Sequence, residues 1–163
     1  MKDVKYISAH QPAFMPWLGY IHRISLSNIF IILDDVQFEK NSFTNRNKIL
    51  NKSLNKTQWL TVPILIKGHL EKKIKDIKIN NQINWKKKHL VKLTQEYGKT
   101  QQFETRFNDI YQIYEQDHSS LLDLNMEILS YFLKSFSINT TLFKQSDLKI
   151  TGKNNEIIVN ICK

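Results

Sequence analysis

Residues 29–35 read Ile29-Phe30-Ile31-Ile32-Leu33-Asp34-Asp35, a continuous apolar run rich in isoleucine and closed by two acids. A short run with no polar alternation predicts a strand buried on both faces, and therefore central in a sheet. Its carboxyl end delivers acidic side chains to a crevice, where α/β proteins build their sites. Val36-Gln37-Phe38 is read as a continuation of this strand past a bulge.

Working back toward the N-terminus, Lys5 to Ala9 predicts a first strand, stopped at His10-Gln11-Pro12. Proline pushes Gln11 out of the helical region and removes a backbone donor, so the strand exit is extended and fixed. Pro16 suits the first turn of a helix. Trp17, Tyr20, Ile21 and Ile24 then recur on one helical face, which predicts a helix to about Ser27. Gly19 weakens that helix, and a close approach of another group would explain its presence.

Working forward, Asn41 to Lys52 reads as polar and turn-rich, with Asn45-Arg46-Asn47 as its densest hydrogen-bonding cluster. Gln58 to Ile66 predicts a strand whose second half Pro63 demotes to an edge or bend. Lys67-Gly68-His69 is expected as a loop and Lys73 to Ile79 as a short strand, with a helix as the alternative. Trp85 to about Ser135 forms a helical layer, with Asn84 and Ser119 as expected caps and Gly98 as a stop. Ile138 to Phe143 returns as a strand, and Asn154 to Cys162 begins a further amphipathic helix. The expected fold is one α/β domain over residues 1–163, with a mixed sheet, packed helices and a helical layer in the C-terminal half.

The bulk properties agree with a single core-bearing domain. Mean hydropathy is −0.41. No apolar run nears the roughly 18 residues of a membrane span, and Met1 to Tyr6 lacks the apolar core of a signal peptide. No membrane span and a cytoplasmic location are the expectations. The lone Cys162 gives neither an internal disulfide nor a metal cluster. The net charge is +9, but only Arg23, Arg46 and Arg106 are arginines, and lysine supplies the remaining positive charge. Nucleic-acid readers favour the planar fork of arginine. The charge is read as general Lys, Asn and Ile enrichment and no nucleic-acid partner is expected, although a small anionic substrate would benefit from the same field. Glycine-rich phosphate loops, HExxH and GxSxG are absent, which argues against dinucleotide oxidoreductases, P-loop NTPases, zincins and α/β-hydrolases.

Three positions suggest chemistry. His10, held between a strand and two prolines, suits a general acid or base near neutrality, or a turn histidine capping a backbone group. Asp34 suits a hydroxyl ligand, an orienter of His10 or a divalent-ion ligand, or a carboxylate that caps its own turn. No spacing supplies the three ligands a tight metal site needs. Asn45-Arg46-Asn47-Lys48 suits a phosphate with neighbouring hydroxyls, or a solvated loop. Trp17, Trp59 and Trp85 are read first as core residues, and Lys86-Lys87-Lys88-His89 first as a solvated helix face.

Five motifs in order carry a resemblance. They are His10-Gln11-Pro12-x-Phe14-x-Pro16-Trp17-Leu18-Gly19-Tyr20; Leu33-Asp34-x-Val36-Gln37-Phe38-x-Lys40; Asn45-Arg46-Asn47; Trp59-Leu60-Thr61-Val62-Pro63; and Trp85-x-x-Lys88-His89. The chain resembles the WbqC-like proteins over essentially its whole length. Members usually continue well past the Ile161-Cys162-Lys163 at which this sequence ends, so it resembles a version lacking the family's C-terminal part. The resemblance implies a place in bacterial surface-polysaccharide (O-antigen, lipopolysaccharide) or secondary-metabolite biosynthesis, beside enzymes that make and acylate amino sugars. It implies a transferase acting on a nucleotide-linked amino sugar by N-acyl or aminoacyl transfer. The alternative is a non-catalytic binding or scaffolding subunit.

On that reading His10 is the general base and Asp34 orients it or a sugar hydroxyl. Arg46 holds a diphosphate, and Asn45 and Asn47 bond sugar or ribose. Gln11, Trp17, Gln37, Lys88 and His89 complete the substrate-binding set. No cofactor is identified beyond an acyl or aminoacyl donor. The expected partners are a sugar nucleotide and other enzymes of the pathway.

Overall fold

The computed structural model describes residues 6–65, 72–152 and 155–161. The apolar run forms β2 (Ile29–Ile32), whose Phe30, Ile31 and Ile32 are all buried. It lies between β1 (Ile7–His10) and β5 (Thr141–Lys144), and both pairings are parallel. The register sets His10 beside Ile32 and Ile32 beside Lys144. All three strand exits therefore emerge at one edge of the sheet.

A separate antiparallel ribbon joins β3 (Arg46–Asn51) and β4 (Lys56–Thr61), with Arg46 opposite Thr61 and Asn51 opposite Lys56. This ribbon corrects the reading of Asn41 to Lys52 as polar and turn-rich with no strand in it. Strand pairing here rests on backbone bonds in a half-exposed ribbon, so polar side chains do not oppose it. The turn formers sit at its tip, where Leu54 N–H donates to Asn51 Oδ1 at 3.0 Å and Asn55 takes φ 46°.

The helices are α1 (Leu18–Ser25), α2 (Trp85–Tyr97), α3 (Phe103–Glu115), α4 (Leu121–Ser135) and α5 (Asn155–Ile161). Helix α4 packs on two apolar clusters. Leu122, Leu129 and Leu133 meet the sheet side with Tyr20, Ile24, Phe30 and Ile32. Leu121, Leu124 and Ile128 meet Phe14, Phe38, Leu60, Trp85 and Tyr114 on the other side.

Several local expectations shift. Val36-Gln37-Phe38 leaves the sheet, with Val36 C=O accepting from Ile74 N–H and Phe38 N–H donating to Lys72 C=O, each at 2.9 Å. Lys73 to Ile79 takes the helical alternative, as a 3-10 turn at Ile74–Asp76 rather than a strand, flanked by single bridges Gln37–Lys73, Lys78–Ser120 and Ile64–Ile79. Residues three apart eclipse in such a turn, which lets Ile74 and Ile77 share one buried face. Ser120, not Ser119, caps α4 by accepting from Asp123 N–H at 3.3 Å. Asn84 precedes α2 but makes no side-chain cap bond. Gly98 ends α2 in a right-handed conformation. A β-carbon there would lie 2.5 Å from Thr94 O, so close approach is what glycine answers. Lys5, Lys67-Gly68-His69, Asn154 and Cys162 lie outside the described residues.

Removing a serine cap costs about 1 kcal/mol. Ser120→Ala should lower unfolding free energy by that amount in urea titration, whereas Ser119→Ala, exposed and not the cap, should leave it nearly unchanged.

Candidate functional site

Asp34 is 1% exposed. Its carboxylate accepts from Ser146 N–H at 3.0 Å and from Ser146 Oγ–H at 2.6 Å. Both oxygens thus tie the exit of β2 to the exit of β5, and neither bonds His10. The neighbouring Asp35 pairs with Lys73 at 2.7 Å and with Lys75. Partial desolvation raises the Asp35 pKa, but bonds and charge from the two lysines outweigh it and leave the pKa below the usual carboxylate value.

His10 sits where β1 ends. A carbonyl can only accept, so at 2.9 Å its Nδ1–H donates to Gln11 C=O. Tyr20 O–H donates to the same carbonyl at 3.2 Å. In the neutral ring this leaves the lone pair on Nε2. The backbone carbonyl of Gln11 therefore provides the orientation that the sequence reading gives to Asp34. The imidazole meets Trp17 edge-on at 5.8 Å and Tyr20 at 5.1 Å.

An aromatic row continues from there. Trp17 meets Phe43 at 5.4 Å, and Phe43 meets Trp59 at 5.8 Å. The Arg46 guanidinium carbon stands 4.1 Å from the Trp59 ring centre, and Lys48 Nζ stands 5.0 Å from it. Arg46 Nη2 donates to Asn41 C=O at 2.5 Å, while its buried Nε has no hydrogen-bond partner. Lys92 Nζ donates to Trp59 C=O at 3.3 Å. Trp17 and Phe43 are 41% and 43% exposed, so their faces are open to a ligand. The Trp17 indole explains Gly19, since a β-carbon there would lie 3.2 Å from Trp17 Nε1.

Lys88 is exposed on α2 and lines a cleft of about 630 Å3 with Trp59, Trp85 and Lys92. Gln37 is exposed at its bridge to Lys73.

The structure turns other expected ligands inward. Asn45 is buried and donates from Nδ2 to Val62 C=O at 3.0 Å. Asn47 Nδ2 donates to Met15 C=O and, at 3.4 Å, to Phe14 C=O, while its Oδ1 accepts from Lys48 N–H at 2.7 Å. His89 is buried, with Nε2 3.1 Å from Thr61 O and Nδ1 3.1 Å from Tyr114 Oη. The carbonyl fixes the tautomer: Nε2–H donates to Thr61, and Tyr114 O–H donates to Nδ1. Burial lowers the His89 pKa to about 4, against a partial rise from the Thr61 bond. Burial alone pushes the Tyr114 hydroxyl far up.

Phe43 and Lys92 escape sequence reading because nothing in their local pattern distinguishes them. Trp59 sits in a motif but is read first as core, while Lys48 is read with Arg46 as suiting a phosphate or as part of a solvated loop. Among the described residues, no three His, Cys, Asp or Glu side chains are grouped to hold a metal ion. No described helix is long and apolar enough to cross a membrane.

A parallel three-stranded sheet with its exits at one edge, beside a ribbon carrying an aromatic and cationic row, defines the class of domain. The model of the WbqC-like protein family matches residues 11–163, and the chain belongs to that family. It is 31% identical over 161 residues to the uncharacterized protein Rv1507c of Mycobacterium tuberculosis, covering 98% of this chain and 68% of that relative. No solved structure matches the chain significantly.

Two outcomes follow. Asp34→Ala strands the Ser146 donors and should cost roughly 2–4 kcal/mol in urea unfolding, with Ser146→Ala costing less because it keeps the backbone bond. For His89, the folded pKa of about 4 lies below the ordinary 6.5. The unfolded chain binds the extra proton, so stability present above pH 6.5 is lost as pH falls toward 4, by roughly 3 kcal/mol. That part of the stability–pH slope should vanish in His89→Gln, read as the difference between the two proteins.

Proposed function

We propose that this protein acts in bacterial surface-polysaccharide or secondary-metabolite biosynthesis. It holds a nucleotide-linked amino sugar along the aromatic row and transfers an acyl or aminoacyl group to its amine. The observation that carries this reading is the row itself, from His10 through Trp17, Phe43 and Trp59 to the overlying Arg46. Flat aromatic faces stack on bases and sugar rings, and adjacent guanidinium and ammonium groups neutralise a diphosphate. Arg46 and Lys48 serve the diphosphate, Lys88 and Lys92 extend the positive edge, and Trp17 and Phe43 receive the sugar.

In the transfer step the amine nitrogen attacks the carbonyl of an activated acyl donor such as a thioester. The C–N bond forms and the C–S bond breaks. Nε2 of His10 takes the amine proton and returns it to the departing thiolate, so the products are an amide and a thiol. Asp34 enters only by fixing the strand exits, and Asn45 and Asn47 by fixing the loops beside the row. The substrates place the protein in the cytoplasm with the other enzymes of such a pathway.

Among the described residues no carboxylate bonds His10, which supports a second reading, a non-catalytic subunit that holds the same ligand. A ligand that binds the native state raises its melting temperature. A UDP-linked amino sugar should raise the Tm of the wild type, and Arg46→Ala and Trp59→Ala should each remove most of that shift. His10→Ala should keep the shift but lose at least about 100-fold in amide formation with an acyl thioester, the scale of general-base catalysis. A wild type that shows the shift but forms no amide selects the binding subunit, unchanged turnover in His10→Ala removes His10 as the base, and a shift that survives Arg46→Ala rules out the row as the site.

A further inference from the structure

A trough runs away from the aromatic row and is not used by the sugar. It begins as a cavity of about 350 Å3 beside Trp17, Leu18 and Lys48. It continues into one of about 610 Å3 among the helices of the C-terminal layer. Met15, Leu93, Tyr97, Phe132 and Phe136 line both, so the two cavities adjoin. At the far end Phe103 and Phe107 stack at 4.7 Å. Polar groups occur chiefly at the α2–α3 turn, from Thr100 to Gln102, and at Arg106.

The junction is built deliberately. Met15 has φ 47°, a left-handed conformation that a side-chain-bearing residue adopts at some cost. Asn47 holds that turn by donating to the Met15 carbonyl. The motif asparagine thereby fixes the backbone of a residue lining both cavities.

We infer that this trough seats the hydrocarbon chain of a medium- or long-chain acyl thioester, the donor for the reaction proposed above. The inference rests on that reading for its chemistry. The trough has the volume of a small-molecule site and an apolar lining with few polar groups. Its smaller cavity is lined by Trp17, whose ring meets His10 edge-on at 5.8 Å, so a chain lying in it with its head at Trp17 brings its thioester carbonyl toward the base. Lys48 at the same end, on a chain of net charge +9, complements a phosphorylated thioester carrier.

Calorimetric titration of the full chain with coenzyme A, acetyl-CoA and octanoyl-CoA tests this. Each buried methylene should tighten Kd about fourfold until the trough fills. Octanoyl-CoA should therefore bind at least about 100-fold tighter than acetyl-CoA. Phe107→Asp should abolish the chain-length dependence, and Phe136→Asp, at an exposed position that folding tolerates, should weaken it. Equal affinities for the three ligands, or a dependence that survives both variants, overturns the inference. So does a concentration-dependent dimer in sedimentation that Phe136→Asp dissolves while affinities stay equal, since the trough is then a self-interface. The sugar reading fails separately. Chain-length dependence without a UDP-sugar shift keeps the trough and discards the sugar, and the converse discards the trough alone.

Discussion

The two-sided burial of α4 is the constraint on which the rest depends. A helix with one apolar stripe packs against one layer, but α4 offers Leu122, Leu129 and Leu133 to the sheet and Leu121, Leu124 and Ile128 to the opposite cluster. It therefore fixes the parallel sheet relative to the helices that carry the trough. Its one deeply buried polar residue, Asn125, donates to Thr44 C=O at 2.8 Å. That bond anchors the segment leading into β3 and, with Phe14 N–H donating to Phe43 C=O at 2.9 Å, sets where the row lies.

Around this helix, buried side chains act mostly as clamps on backbone. Asn45, Asn47, Asn125 and Asp34 each satisfy main-chain groups of another segment. His89 links β4 to α3 through a neutral ring and packs between Phe14 and Trp85. Desolvation disfavours its charged form, so it serves as a fixed donor and acceptor rather than a proton carrier. What these clamps leave available at the surface is aromatic and cationic.

The division of labour follows. His10 is oriented by its own neighbour's carbonyl, and the row beyond it supplies flat faces and positive charge. The trough supplies largely apolar volume, with Lys48 and Arg106 as the cations in its lining. The aromatic and cationic row and the apolar trough meet at Trp17, beside the same imidazole.

Local pattern alone determined the central strand, because an unbroken Ile29-to-Leu33 run has no face left for water. It also determined the helical layer and the exits at His10 and Asp34, where the proline and acid signals are contiguous. It did not determine β3, whose pairing with β4 depends on backbone bonds that its polar side chains do not advertise. Nor did it separate ligand-facing polar residues from structural ones. A buried amide or carboxylate must bond something, and sequence carries the demand but not the partner. Only the tertiary structure decided that Asp34 serves Ser146, that Asn45 and Asn47 serve the main chain, and that Trp17, Phe43 and Trp59 align. Those pairings join residues far apart in the chain, and packing around α4 is what brings them together.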